Sequence, residues 1–141
     1  MAQDKKAKKK FSASKRREFE SKPKKSEYFL MLEQKTDASK IVTSLREKEY
    51  TGLDLWESMG VFAIETKQDS TVDFEEISVE ETFTDPSDHA FIKNRNIQSV
   101  YSFEATDEEV AKLKAYFKEM IAIFGGFVCS DSEDFQPMLA L

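Results

Sequence analysis

The chain predicts an α+β domain: a ferredoxin-like β-α-β-β-β-α-β sheet with two main helices on one face, preceded by a disordered basic N-terminal tail. Three observations carry this. Thr106 to Phe124 has the capping and apolar spacing of a long amphipathic helix, closed by Gly125-Gly126. Several runs are apolar or alternating and of strand length, with turn residues between them. Charge is divided unevenly along the chain. Residues 1–27 hold eleven Lys or Arg against four Asp or Glu, a formal net of +7, and residues 28–141 hold ten against 23, a net of −13. The expected organisation is therefore a tail over 1–27 and one acidic domain over 28–141.

Taken in order, 1–27 has Met1, Phe11 and Phe19 as its sizeable apolar residues. Burying so little surface cannot offset the entropy of ordering the segment. Lys8, Lys9 and Lys10 belong to one basic cluster, and Lys15, Arg16 and Arg17 form another. These are the residues with which a tail would contact nucleic acid or an acidic assembly. No aromatic interleaving accompanies them, so a solubilising role competes with that one.

Order is expected from Tyr28. Tyr28-Phe29-Leu30-Met31-Leu32 is apolar throughout, the pattern of a strand covered on both faces in the middle of a sheet. Asp37 is placed to cap a short helix through Ile41, Val42 and Leu45, with Gly52 as its stop. Leu53, Leu55 and Trp56 form an apolar patch leading into a strand from Val61, and those neighbours favour a core position for Trp56. Val72 to Phe83 reads as the partner strand of a hairpin. Its apolar residues change parity between Phe74 and Ile77, and a bulge near Glu75-Glu76 would bring them back to one face. The opposite face would then present Glu75 or Glu76 together with Glu80.

Pro86 suits the first turn of a short helix, and Val100 to Phe103 is a fourth strand. Thr106 and Glu109 have capping-box spacing ahead of Val110, Leu113, Phe117, Met120, Ile121 and Phe124. Phe127-Val128-Cys129, apolar throughout, is expected as a fifth strand in a parallel or central place.

Chemistry is sparse. The single cysteine, Cys129, permits no disulfide within the chain, and the single histidine, His89, has no catalytic motif around it. Asp85, Asp88 and His89, or Asp131, Glu133 and Asp134, fall short of a full ligand set. The glycine pair follows a helix, whereas phosphate cradles precede one. No catalytic residue, metal or cofactor is expected. No apolar run approaches 18 residues and the first 25 residues lack an apolar segment, so neither a membrane span, a membrane partner nor a secretory leader is expected. These traits point to the cytoplasm.

What remains is charge. From Glu65 to Asp88 there are nine acids and one base, Lys67. The leading expectation is a non-catalytic protein-binding module whose acidic surface engages a basic protein, in the manner of an inhibitor or immunity protein. The expected contacts are Trp56, Glu76, Glu80, Asp85, Asp88, Asp131, Glu133 and Asp134. The alternatives are a nucleic-acid or assembly tether working through the tail alone, and an enzyme or ligand binder near His89. Nothing in the sequence specifies an oligomeric state.

Overall fold

A computed structural model describes residues 24–68, 70–132 and 135–141. The expected disorder of the tail up to residue 23 falls outside the described residues, as do its basic clusters. The elements run β1 (Ser26–Leu32), α1 (Ala38–Glu47), β2 (Leu53–Trp56), a 3-10 turn (Glu57–Met59), β3 (Val61–Lys67), β4 (Ser70–Ile77), α2 (Val79–Thr82), α3 (Pro86–Asn94), β5 (Ser99–Ala105), α4 (Asp107–Phe124) and β6 (Gly126–Ser130). The six strands form one antiparallel sheet in the order β2-β3-β4-β5-β1-β6.

β1 lies between β5 and β6, and Phe29 to Leu32 are all nearly inaccessible. Its continuous apolar run follows from cover on both sheet faces. Tyr28, Leu30 and Leu32 face the layer made by α1 and α4. There they join Phe62, Ile64, Phe74, Tyr101 and Phe103 from neighbouring strands. Phe62 and Phe74 stack with centroids 4.8 Å apart, and Phe74 meets Phe103 at 4.6 Å. Each such fully buried ring contributes about 1.5–3 kcal/mol by removal from water alone.

α4 begins as its sequence dictates. Thr106 Oγ1 accepts from the Glu109 amide, and the Glu109 carboxylate accepts from the Thr106 amide. Its buried stripe is Val110, Leu113, Phe117, Met120 and Phe124. α1 is capped by Asp37, which accepts from the Lys40 amide at 2.8 Å, and buries Ala38, Ile41, Val42 and Leu45. It ends at Glu47, ahead of the expected stop at Gly52. After α4, Gly126 has φ +131°, and a Cβ there would lie 1.9 Å from the Met31 carbonyl oxygen. Only glycine lets β6 close onto β1 at that point.

Four expectations need correction. Strand pairing starts at Ser26, two residues before Tyr28. Leu53–Trp56 is a strand in its own right, so the described residues hold six strands where five were expected. β6 is antiparallel to β1, and its other side is met by a short C-terminal segment. Leu139 N–H donates to the Val128 carbonyl, and Ser130 N–H donates to that of Pro137. Finally, the parity change after Phe74 marks no bulge. β4 stays regular through Ile77, whose side chain takes the opposite face, and the chain then turns into α2. Ile77, Val79 and Phe83 thus belong to a second core with Phe29, Met31, Ile92, Ile97, Val100, Cys129 and Phe135. Phe135 meets Phe91 at 4.5 Å and Phe83 at 5.7 Å.

Candidate functional site

The strand register sorts this second sheet face into rungs. One rung, Ile77–Val100–Met31–Phe127, is apolar across four strands and lies under α2, α3 and the C-terminal segment. The next crosses all six strands as Trp56–Val61–Glu75–Ser102–Phe29–Cys129. Its β6 and β1 end is buried, and its β4 to β2 end is open. The rung beyond holds Asp54, Ala63 and Asp73 on β2 to β4, and sets Glu104 of β5 opposite Glu27 of β1. Acidity therefore rises along the strands within three rungs.

The open part of the face forms a concavity of about 520 Å³. Glu27, Asp73, Glu75, Glu104 and Asp131 line it, and Lys25 is the only base in the lining among the described residues. Like charges directly opposite across strands, as at Glu27 and Glu104, weaken a sheet. Water tolerates such a face. A cation entering it would be drawn by several carboxylates at once.

Trp56 and Met59 stand at one end of the concavity, 46% and 67% exposed. β2 is the sheet's far edge, and its even alternation sends Leu53 and Leu55 toward the helical layer but Trp56 to the open face. The sequence environment favours a core position for Trp56. It fails because those apolar neighbours lie on the other side of the strand. Met59 follows in the 3-10 turn, which ends at Gly60 with φ +66°.

At the other end, Glu27 and Asp131 meet. The Asp131 amide donates to the Glu27 carbonyl oxygen at 2.9 Å, which brings the side chains together. A hydrogen bond to the Asp131 carboxylate, burial and the charge of Asp131 hold the Glu27 carboxyl above its ordinary range.

The structure gathers Trp56 and Asp131 of the expected contacts at this site, and places Glu76, Glu80, Asp85 and Asp88 elsewhere. Glu76 shares the parity of Phe74 and points to the helical side, where burial raises its carboxyl, nearby Lys35 opposes the rise and Asp37 adds to it. Glu80 is exposed in the first turn of α2, away from the concavity. Asp85 caps α3, accepting from the amide and hydroxyl of Ser87, and these bonds lower its carboxyl. Asp88 lies in the first turn of the same helix. Glu133 and Asp134 lie outside the described residues, as do Lys8, Lys9, Lys10, Lys15, Arg16 and Arg17. Glu27, Asp73, Glu104 and Met59 were not expected at a site. Strict alternation through Thr71-Val72-Asp73-Phe74-Glu75 and Tyr101-Ser102-Phe103-Glu104 marks three acids of the open face. Glu27 is hidden by its place beside the basic segment.

Other chemistry is quiet. Burial, with Asp131 adding and Arg95 opposing, pushes the Cys129 thiol up to about 12, so it is no nucleophile at neutral pH. His89 Nε2 donates to the Phe83 carbonyl. Among the described residues no three His, Cys, Asp or Glu are placed to hold a metal ion. None of the described helices is long and apolar enough to cross a membrane. No protein-family model, curated protein or solved structure matches the chain.

Proposed function

We propose that this chain is a non-catalytic binding module of the cytoplasm whose open acidic sheet face engages a basic protein, as an inhibitor or immunity protein would. The observation carrying this reading is the joining of five carboxylates with an exposed tryptophan and methionine in one concavity. Acids alone would need no further account than solvation. Tryptophan and methionine are enriched in the buried centres of interfaces, and tryptophan dominates their energetics. The carboxylates would speed encounter with a basic surface, and Trp56 would supply a desolvated anchor stacking on an arginine or apolar side chain. Phosphate backbones would be repelled from this face.

The same reading treats β6-β1-β5-β4, with α1 and α4, as a ferredoxin-like unit to which β2 and β3 add two strands. Their strand order and the two helical crossovers support it. The addition extends the sheet beyond the cover of α2 and α3, and so creates the open face.

Affinity capture tests the proposal. Wild-type chain is expected to retain a basic protein that an Asp73→Lys/Glu75→Lys/Trp56→Ala chain does not. Identical retention by the two, or retention of no basic protein by either, would refute it.

A further inference from the structure

The described chain begins beside the concavity. Lys24 and Lys25 lead into β1 at Ser26, and Lys25 already lines the acidic face. Residues 1–23, which precede them, carry nine Lys or Arg against three Asp or Glu, a formal net of +6. We propose that this segment docks in its own domain's acidic concavity and thereby competes with a basic protein for the face; the competition, but not the docking, rests on the function proposed above.

Reach and charge both favour the docking. Crossing from β1 to β2 over β5, β4 and β3 spans roughly 19 Å at the usual strand spacing. Lys15, Arg16 and Arg17 stand seven to nine residues before Lys24. An extended chain of that length covers about 25–30 Å, enough to bring the cluster over Asp73 and Glu75 and as far as Trp56. The route would pass Glu27 and Glu104 before Asp73 and Glu75, so carboxylates line the whole of it. Arg16 or Arg17 over the exposed Trp56 ring would add a cation–π contact, and Phe11 and Phe19 offer apolar surface for Met59. Tethering supplies an effective concentration on the order of millimolar, so contacts too weak to hold a free peptide suffice.

This occupant differs in kind from a partner. It is present at fixed stoichiometry and needs no encounter. A basic protein must displace it, so only one with a denser cationic surface, or one that also claims Trp56, would bind. The segment thereby acts as a selectivity filter. Its hold weakens with salt, since the Debye length shrinks from about 30 Å at 0.01 M to about 3 Å at 1 M.

Paramagnetic broadening in the intact chain tests the docking. A nitroxide is placed at Ser14→Cys; the thiol of Cys129 is buried and inert, so labelling is selective. At low salt the amides of Asp73, Glu75, Ser102 and Glu104 are expected to lose at least half their intensity, with those of α4 on the opposite side largely spared. Both 1 M salt and Asp73→Asn/Glu75→Gln/Glu104→Gln should restore the signals. Broadening that is absent, uniform or unchanged by salt overturns the docking. A mixture of spin-labelled chain with isotope-labelled, spin-free chain identifies the source: broadening there assigns the occupant to a second copy and overturns the proposal as stated.

The competition is read with decalysine as the basic probe and Trp56, the single tryptophan, as the reporter. Lys15→Gln/Arg16→Gln/Arg17→Gln full-length chain should bind decalysine at least threefold more tightly than wild type. Equal binding, or none to either chain, overturns the competition. Failure of the capture experiment while broadening persists counts against the partner alone.

Discussion

One face of one sheet is finished in two ways. Over β1, β6 and the ends of β5 and β4, apolar rungs lie beneath α2, α3 and Phe135. Over β2, β3 and the rest of β4 and β5, the same face stays open and carries acids. The boundary runs through a single rung, between Phe29 and Ser102. Cover is thus decided by side-chain chemistry a few ångströms apart. Where alternate residues are Phe, Met and Val, the chain returns to bury them. Where they are Asp and Glu, hydration makes cover unfavourable unless it brings positive charge. Trp56 and Met59 break the rule on the open side, and that departure gives the open half its functional interest.

The largest test of this contrast removes one ring from each half. Phe135→Ala should cost about 3–5 kcal/mol, because the side chain is 2% exposed among Phe29, Phe83 and Phe91. Trp56→Ala removes a larger ring but should cost less, about 1–2 kcal/mol, since nearly half of it is already in water. Urea unfolding monitored by circular dichroism reads both. Similar losses would show that the open half is stabilised from within, and the division would collapse.

Charge reversal comes next and acts on binding rather than stability. Asp73→Lys with Glu75→Lys should slow association with a captured basic partner by about tenfold or more at low ionic strength. The difference should shrink as salt is added. Glu76→Lys with Glu80→Lys changes the formal charge equally but touches the helical side and α2, so at 0.15 M salt, where the Debye length is about 8 Å, association should stay within about twofold of wild type. A matching loss from both pairs would mean that overall charge, and not this concavity, draws the partner.

Much of this division is legible in the residues, and the reasons for the exceptions are physical. The helices declared themselves through caps and apolar spacing, as at Thr106 and Asp37, because those bonds are local. β1 declared its burial because both parities are apolar. The parity change after Phe74 was visible but not its cause. A bulge and a second core produce the same pattern, and only the path of α2 and α3 across the other face separates them. That one choice decides whether Glu75 or Glu76 faces the site. Glu27 was obscured by neighbours in sequence, since its surroundings in space, Glu104 on β5 and Asp131 just after β6, lie far along the chain. Trp56 misled for the converse reason: Leu53 and Leu55 are its neighbours in sequence but lie across the strand from it.

The smallest expected effect lies where the concavity meets the start of β1. Glu27 is held above the ordinary carboxylate range, first by its hydrogen bond with Asp131, then by burial and by the charge of that neighbour. Its folded-state pKa therefore exceeds the unfolded value. The contribution of Glu27 to stability is fully present below the unfolded pKa and is lost as pH rises through the folded one. Above that raised range the charge on Glu27 works against the fold. Glu27→Gln keeps a neutral donor to Asp131 without the second charge, so the variant should equal or exceed wild-type stability at pH 7. That advantage should fade toward pH 4, where wild-type Glu27 is protonated. A cation entering the concavity favours ionised Glu27, so its binding releases protons and weakens as pH falls through that raised range. The Glu27→Gln chain should show a flatter pH profile for the basic partner. Carboxyl carbon titration by NMR locates the window, and calorimetry in buffers of different ionisation enthalpy counts the protons. No proton release in wild type, or identical pH profiles for the two chains, would place the bound cation away from Glu27 and confine the docking surface to Asp73, Glu75 and Trp56.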